Sequence, residues 1–246
     1  IALKSCAFID RLGYLGKNMQ KIAVLTGAGI SQESGLATFR GAGGLWNGEK
    51  IEEVATPEGF KRDPAKILNF YNQRRKELLL AGPNAAHRAL KKLETAYEVY
   101  IITQNVDDLH ERAGSKSIIH LHGELLKVRS VTEPSEIIPW VGDLSVEDKD
   151  SQGRALRPHI VWFGEAVPEM ERALPIVKTV DYFLVIGTSL AVYPAADLIH
   201  HTQKETKIYL VDPYPTIVPP GVEVIAQKAT GGVPRLVERL LSTAIN

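Results

Sequence analysis

Short runs of apolar and β-branched residues recur along the chain, and stretches with helical periodicity separate them. Several runs are hydrophobic at every position, as in the segment 182–186, which is typical of strands buried on both faces of a parallel sheet. The pattern predicts strands at 21–26, 98–103, 117–121, 158–163, 181–187 and 207–212. It predicts helices at 31–37, 64–80, 84–95, 168–179, 194–203 and 232–244.

The alternation of strands and helices predicts an α/β fold with a doubly wound, Rossmann-like parallel sheet, in which ligands bind beyond the carboxyl ends of the strands. Two stretches break the alternation, about 41–82 and 124–157, and we expect them to form a smaller inserted module. Residues 1–18 differ in character from the rest of the chain and precede Met19. We expect them to be an upstream or vector-derived extension of a catalytic domain that covers 19–246.

Charge and cysteine content narrow the class of protein. The 246 residues include 29 Lys+Arg and 29 Asp+Glu, a formal net charge of zero, which gives no reason to expect direct contact with nucleic acid or with a membrane. No apolar run reaches the roughly 18–20 residues that a membrane span requires. Cys6 is the only cysteine of the sequence. This excludes an intrachain disulfide framework and fits a reducing compartment, so we expect a cytoplasmic protein.

A glycine-rich turn follows the first predicted strand. Gly27, Ala28 and Gly29 lie between this strand and a helical segment that begins near Ser31. Glycines let the backbone approach a pyrophosphate, and a helix N-terminus offers free N–H groups and the positive end of a dipole. The spacing departs from the dinucleotide pattern G-x-G-x-x-G. By themselves these residues are equally compatible with a plain strand-to-helix turn that a serine caps.

Five segments, in the order of the chain, resemble the signature motifs of the sirtuin (Sir2) family, most closely those of its bacterial members. They are 27–40 (GAGISQESGLATFR), 103–110 (TQNVDDLH), 120–124 (HLHGE), 161–165 (VWFGE) and 187–189 (GTS). The resemblance implies an NAD-dependent protein lysine deacylase with NAD as co-substrate. Its partners would be acylated lysine side chains of proteins, and its products free lysine, nicotinamide and O-acyl-ADP-ribose.

The resemblance also implies which residues bind NAD. Phe39 would shield the nicotinamide site from water, and a place in the hydrophobic core is the alternative for it. Asp107 or Asp108 could instead cap the helix that follows. Asp212 ends a predicted strand, where a carboxylate can hold ribose hydroxyls. The predicted cofactor-binding residues are Gly27, Ala28, Gly29, Ser31, Phe39, Arg40, Gln104, Asn105, Asp107, Gly187, Thr188, Ser189 and Asp212.

His122 is predicted to be the catalytic base, with Asn105 beside the nicotinamide as a second catalytic residue. A histidine pKa near 6.5 suits a general base at neutral pH. In the mechanism that the resemblance implies, the acyl oxygen attacks C1′ of the ribose and nicotinamide leaves. His122 then deprotonates a ribose hydroxyl, which attacks the acyl carbon. A metal cluster with His110 and His120 is the alternative, but nothing completes its ligand set, and we expect His120 to be structural.

The acylated peptide is expected in the cleft between the sheet and the inserted module. The resemblance implies that the segment 161–165 pairs with the peptide as an added strand. Val161, Phe163 and Gly164 are the residues expected to contact it there, and the first two would line the tunnel for the acyl-lysine.

Tyr71 and Arg74 are expected to set the acyl preference, so that the enzyme accepts acetyl-lysine and removes succinyl groups at least as well. They lie three residues apart in a predicted helix and therefore on one face. This spacing resembles that of sirtuins that remove succinyl and malonyl groups, in which the arginine pairs with the acyl carboxylate. The alternative is a solvated helix face, because the charged residues 75–77 follow.

The sequence departs from the family where zinc would bind. Most sirtuins hold a structural zinc ion with two cysteine pairs, whereas Arg129, Ser130 and the segment 148–151 stand at those places here. A closed zinc site prefers sulfur and nitrogen ligands, so we predict neither zinc nor another metal site. An apolar cluster is expected to hold the module instead, formed by Ile137, Ile138, Trp140 and Val141.

Other functions remain compatible with parts of the pattern. An NAD-dependent protein ADP-ribosyltransferase would use the same fold and the same cofactor. A non-catalytic ADP-ribose-binding module would not need both His122 and Asn105. An NAD dehydrogenase fits poorly, because its glycine spacing differs and because the polar segment 104–107 has no clear role in hydride transfer.

Overall fold

The computed structural model of the protein describes residues 19–38, 45–46 and 49–245. The strands are β1 (Lys21–Thr26), β2 (Leu45–Trp46), β3 (Glu49–Lys50), β4 (Glu98–Thr103), β5 (Ile118–His120), β6 (Gly123–Ser130), β7 (Ile137–Pro139), β8 (Leu156–Ile160), β9 (Tyr182–Ile186), β10 (Lys207–Val211) and β11 (Val222–Ile225). The α-helices are α1 (Ile51–Val54), α2 (Pro57–Arg62), α3 (Pro64–Leu80), α4 (Ala85–Leu93), α5 (Leu109–Arg112), α6 (Met170–Val177) and α7 (Ala229–Ile245). Short 3-10 helices span Ala28–Ile30, Gln32–Ser34 and Ala195–His201.

Six strands form one parallel sheet in the order β11-β10-β9-β1-β4-β5. Thr26, the last residue of β1, pairs with Thr103 of β4 and with Ile186 of β9. The three central strands therefore end at one level, and the loops that follow them meet above this edge. Every residue of β9 is buried, as the continuous hydrophobic run predicts for a sheet covered on both faces. The predicted α/β fold with a doubly wound parallel sheet is confirmed.

Helices cover both faces of the parallel sheet. Leu90 of α4 and Leu236 of α7 belong to the apolar layer on one face. Val177 of α6 and Leu198 belong to the layer on the other face, and Leu198 lies in a 3-10 helix where an α-helix is predicted at 194–203. Among the described residues, no helix combines the length and the apolar character needed to cross a bilayer.

Two further predicted elements differ from the structure. The segment 31–37, predicted as a helix, contains only the 3-10 turn Gln32–Ser34, which ends at Gly35 because that glycine has the left-handed φ of 91°. The strand predicted at 158–163 ends at Ile160 and pairs antiparallel with β6 instead of joining the parallel sheet. Its apolar residues are buried against α3 rather than between two helical layers.

A three-stranded antiparallel sheet, β7-β6-β8, here called the small sheet, packs against α3. Leu68 of α3 lies in a buried apolar cluster with Val128 and Leu156 of the small sheet. Ile138 and Trp140 pack against this cluster, as predicted. The prediction is wrong for the other two residues proposed for the cluster, because the side chains of Ile137 and Val141 are exposed to solvent.

Polar contacts close the loops of the small sheet near the places where zinc-binding cysteines would be expected. The Ser130 hydroxyl accepts a hydrogen bond from the N–H of Glu133 at 3.1 Å, which tightens the turn after β6. The Asp150 carboxylate accepts one from Arg154 Nε at 2.6 Å, and Arg154 also pairs with Glu136. Hydrogen bonds and ion pairs therefore join these loops.

Two buried polar side chains fasten α3 to the loop after β7. Arg75 donates to the carbonyl oxygens of Leu125 and Gly142 at 3.2 and 3.1 Å and to Asn72 Oδ1 at 2.8 Å. Asn72 in turn bonds the backbone N–H and carbonyl of Leu144 at 2.9 and 3.0 Å. Burial of a guanidinium is costly unless its hydrogen bonds are made, so these contacts hold the loop in one position against the helix.

We expect Arg75→Met to lower the free energy of unfolding by about 1.5–3 kcal/mol, because buried carbonyl groups lose a charged donor. Lys76→Met is the matched control, since the neighbouring Lys76–Asp143 pair is solvent-exposed and such pairs contribute at most about 1 kcal/mol. Equilibrium unfolding in urea measures both. Equal losses in the two variants would contradict the role given to Arg75.

Candidate active site

One cleft of about 620 Å³ lies between the carboxyl ends of the parallel strands and the side formed by α3 and the small sheet. Phe39 and Arg40 lie outside the described residues. The other residues predicted for catalysis, cofactor or substrate all line this cleft: Gly27, Ala28, Gly29, Ser31, Tyr71, Arg74, Gln104, Asn105, Asp107, His122, Val161, Phe163, Gly164, Gly187, Thr188, Ser189 and Asp212.

The glycine turns after β1 and β9 lie against each other at the edge of the cleft. The N–H of Gly29 donates to the carbonyl of Gly187 at 2.9 Å. A Cβ atom on Gly29 would lie 2.7 Å from the Cα of Gly187, and one on Gly27 would lie 2.7 Å from the Cβ of Thr188. Such distances are far below van der Waals contact, so glycine is needed here for the contact between the two loops. This requirement holds independently of any ligand.

A buried chain of hydrogen bonds begins at Asn105. Its Nδ2 donates to the carbonyl of Gly27 and to the hydroxyl of Ser31, both at 3.2 Å. The Ser31 hydroxyl donates to Asp107 Oδ2 at 2.8 Å, and Asp107 Oδ1 accepts from the N–H of Leu109 at 3.1 Å. Burial raises the pKa of Asp107, and the hydrogen bonds from Ser31 and Leu109 partly offset this effect. Asp107 therefore supports Ser31 and also binds the first N–H of α5, whose N-cap residue is Asp108.

Gln104 and Asp212 lie at the ends of two further strands of the parallel sheet. Gln104 Nε2 donates to the hydroxyl of Thr188 at 3.0 Å, which ties the loop after β4 to the loop after β9. Asp212, the residue after β10, accepts the N–H of Tyr214 at 2.8 Å with one carboxylate oxygen. The loops after β4, β9 and β10 thus present polar side chains to one cleft.

His122 lies between β5 and β6, and its ring is held by the loop after β4. Its Nδ1 lies 3.0 Å from the carbonyl oxygen of Gln104. A carbonyl only accepts hydrogen bonds, so Nδ1 carries the proton and Nε2 of the neutral ring has a free lone pair. Burial lowers the pKa of His122, and the hydrogen bond to Gln104 partly offsets this effect. A neutral imidazole with a basic Nε2 is the form that general-base catalysis requires.

The other two histidines of this region, His120 and His110, contact different groups. His120 contacts the Asn105 carbonyl through Nδ1 at 3.2 Å and the Glu111 carboxylate through Nε2 at 2.7 Å. Burial by itself lowers the pKa of His120, but the hydrogen bond and negative charge of Glu111 outweigh it and raise the pKa. His110 is fully buried against the hydroxyl of Thr26. No group of three side chains suited to a metal ion occurs in the part of the chain that the structure describes.

Trp162 forms the floor of the cleft on the side of α3. Its indole Nε1 donates to the hydroxyl of Tyr71 at 2.9 Å, and the guanidinium of Arg157 lies 3.3 Å from the centre of its ring. Glu165 pairs with Arg157 at 2.7 Å and accepts the backbone N–H of Trp162 at 2.7 Å. Sequence reasoning missed Arg157, because no motif or spacing connects its position on β8 with the cleft.

Arg74 lies in the wall of the cleft with 7% of its surface exposed. Its Nη2 donates to Glu77 at 2.6 Å, and its guanidinium lies 5.4 Å from the ring centre of Phe70. Nε and Nη1 are buried and have no hydrogen-bond partner among the described residues. The alternative of a solvated helix face is therefore wrong for Arg74 and also for Tyr71, which is fully buried.

The segment 161–165 forms a turn in the structure. The N–H of Val161 donates to the carbonyl of His122, and the N–H of Phe163 donates to the carbonyl of Ala55, both at 2.9 Å. These two N–H groups are already bonded, so a peptide strand would have to pair with other backbone groups of 161–165, and this pairing stays a prediction. The contacts place Val161 beside His122 and Phe163 beside Ala55, and both residues line the cleft.

The chain belongs to the Sir2 family, because residues 27–194 match the family described as "Sir2 family". It is similar to a protein of Bacteroides thetaiotaomicron named "NAD-dependent protein deacylase", with 51% identity over 231 residues, 91% of this chain and 99% of the relative. A Helicobacter pylori (strain J99) protein of the same name is 51% identical over 228 residues, which cover 92% of this chain and 97% of that protein.

Solved structures of the same family share the fold. A Sir2 homolog–NAD complex superimposes with a TM-score of 0.82 at 37% identity and covers 92% of this chain and 91% of its own. A structure described as Sir2 bound to acetylated peptide superimposes with a TM-score of 0.75 at 29% identity and covers 92% of this chain and 94% of its own. The parallel sheet and the small sheet thus form a known arrangement.

The different environments of His120 and His122 can be tested by measuring the pKa of each ring. We expect His122 to titrate below the ordinary histidine pKa of about 6.5, because burial disfavours its charged form, and His120 to titrate above it, because Glu111 stabilises the imidazolium. NMR titration of the imidazole C–H signals, assigned with His120→Asn and His122→Ala variants, gives both values. If His122 titrates at or above its usual pKa, the lowering effect assigned to its burial is wrong.

Proposed function

We propose that this member of the Sir2 family, an NAD-dependent protein lysine deacylase, removes succinyl and malonyl groups from lysine as well as acetyl groups. The removal of succinyl and malonyl groups is inferred from the guanidinium of Arg74, which is buried in the wall of the cleft. Two of its nitrogen atoms, Nε and Nη1, have no hydrogen-bond partner among the described residues. A carboxylate at the end of an acyl chain would supply the missing acceptors.

The lining of the cleft fits NAD as co-substrate. The loops after β1 and β9 approach each other closely enough for a pyrophosphate to contact both backbones. Gln104, Asn105 and Asp107 place amide and carboxylate groups at the buried end of the cleft, where a polar nicotinamide ribose would satisfy them. When bound, NAD supplies a ribose carbon from which nicotinamide can depart. Solved Sir2 homologues described as complexes with NAD and with ADP-ribose support this placement.

His122 would act as the general base in the acyl-transfer step. The Gln104 carbonyl keeps the proton on Nδ1, so Nε2 is available to take a proton from a ribose hydroxyl. The lowered pKa of the ring keeps it neutral, and therefore basic, through the physiological pH range. The same Gln104 holds Thr188 through its side chain, which would align the base with the ribose.

Arg74 and Tyr71 would recognise the acyl group. They lie on one face of α3 and both line the cleft. Arginine presents a planar fork that matches a carboxylate, and its burial makes the attraction stronger than it would be in water. Trp162 holds the Tyr71 hydroxyl in position, where that hydroxyl would help to bind the carboxylate. Acetyl-lysine, which is shorter and neutral, would bind without this contact.

Replacement of His122 by Ala should reduce deacylation by about 10²–10⁴-fold, the usual contribution of a general base. NAD should still bind, because the glycine turns and the Asn105 contacts are unchanged. Peptide mass loss measures the first quantity and calorimetric titration with NAD the second. The assignment fails if His122→Ala deacylates at a near-normal rate, or if it simply no longer binds NAD.

Arg74→Met should raise KM for a succinyl-lysine peptide by about 10–100-fold, which corresponds to a charge-assisted bond of about 1.5–3 kcal/mol. KM for the acetyl peptide of the same sequence should change much less. Arg172→Met, a substitution of a solvent-exposed arginine on α6, is the control. Equal losses on both peptides would mean that Arg74 supports the fold or the cofactor rather than acyl recognition.

A further inference from the structure

Glu77 lies one helical turn after Arg74 and holds part of its guanidinium. Its Oε1 lies 2.6 Å from Arg74 Nη2, and both residues line the cleft. The two side chains differ in exposure: 8% of the Arg74 side chain is accessible to solvent, against 44% of the Glu77 side chain. Glu77 can therefore turn outward into water, whereas Arg74 is confined to the wall of the cleft.

The contact restricts how Arg74 can bind a second carboxylate. A guanidinium binds a carboxylate with two parallel hydrogen bonds, either through Nε and Nη2 or through Nη1 and Nη2. Nη2 takes part in both arrangements, and Glu77 accepts one of its two N–H hydrogens. Nε and Nη1, which Glu77 does not contact, have no hydrogen-bond partner among the described residues. An incoming carboxylate must therefore share Nη2 with Glu77 or displace it.

We propose that Glu77 is a specificity-determining residue, an internal counter-ion that competes with the acyl carboxylate for Arg74 and thereby sets the ratio of succinyl to acetyl activity. This inference rests on the acyl recognition by Arg74 proposed above. With a neutral acyl group in the cleft, Glu77 keeps its contact and compensates the buried charge of Arg74. With a succinyl or malonyl group, the acyl carboxylate takes over Nη2 and Glu77 turns toward solvent.

The direction of the effect follows from the charges. Besides competing for Nη2, the Glu77 carboxylate repels an acyl carboxylate at the same guanidinium, since like charges within a few ångströms oppose each other. A neutral glutamine has the same shape and can still accept a hydrogen bond, but it removes the repulsion and weakens the competition. The succinyl substrate gains from this change, whereas the acetyl substrate has no charge to respond to it.

The test compares Glu77→Gln with the natural protein on succinyl and acetyl peptides of one sequence. We expect the ratio of kcat/KM for succinyl to that for acetyl to rise about 2- to 5-fold, the range typical of ion pairs with one exposed partner. Glu169→Gln is the matched control: Glu169 forms a similar i,i+3 pair with Arg172 on α6, and its removal should leave the ratio unchanged. Near-UV circular dichroism confirms that each variant is folded.

The same substitution in the Arg74→Met background separates the possible failures. If Glu77 acts through Arg74, Glu77→Gln should have no effect on the ratio once Arg74 is absent. An unchanged or lower ratio in Glu77→Gln, while Arg74→Met still impairs succinyl turnover, overturns the role of Glu77 alone. If Arg74→Met leaves succinyl turnover intact, the proposed acyl recognition fails, and this inference fails with it.

Discussion

The backbone of Gly29 lies against the backbone of Gly187, and the arrangement of the cleft depends on this contact. It requires that β1 and β9 end at one level, which their parallel register provides, and that neither glycine carries a side chain. The position of Ser31 follows from the turn that Gly29 makes, and Ser31 in turn bonds Asn105 and Asp107. Polar groups from separate strands are thus brought together by a close approach of two loops, before any ligand binds.

The loop after β4 contacts both the loop after β9 and the ring of His122. The side chain of Gln104 reaches the loop after β9, while its carbonyl holds the ring of His122. The next carbonyl, that of Asn105, contacts His120. Two histidines thus contact consecutive carbonyls of one loop, but the pKa of His120 is raised and that of His122 is lowered, because only His120 of the two has a carboxylate partner. Gln104 and His122 are therefore positioned by a single stretch of backbone.

The sequence predicts the parallel sheet well and the small sheet poorly, for a physical reason. Strands such as β1 and β4 are buried on both faces, so their hydrophobic runs are continuous and their bounds were predicted as found. β6 alternates between buried and partly exposed positions and lies in a charged segment, so periodicity did not reveal it. Most of the cleft residues follow strand ends, and the resemblance to the sirtuin family identified them. The turn at 161–165 could not be predicted, since its backbone bonds to Ala55 and His122 are long-range contacts.

Arg74 and Arg75 are neighbours on α3 but differ in how they affect the stability of the fold. Arg75 is buried with Nε and Nη1 bonded to backbone and amide oxygens and with only Nη2 unbonded among the described residues, so it holds the small sheet in place. Arg74 is buried beside it with two nitrogen atoms unbonded among the described residues, an arrangement that destabilises a folded protein. Substitution at position 74 should therefore cost less stability than substitution at position 75. If Arg74 recognises the acyl group as proposed, a single substitution there would change the acyl preference while the contacts that hold the small sheet remain in place.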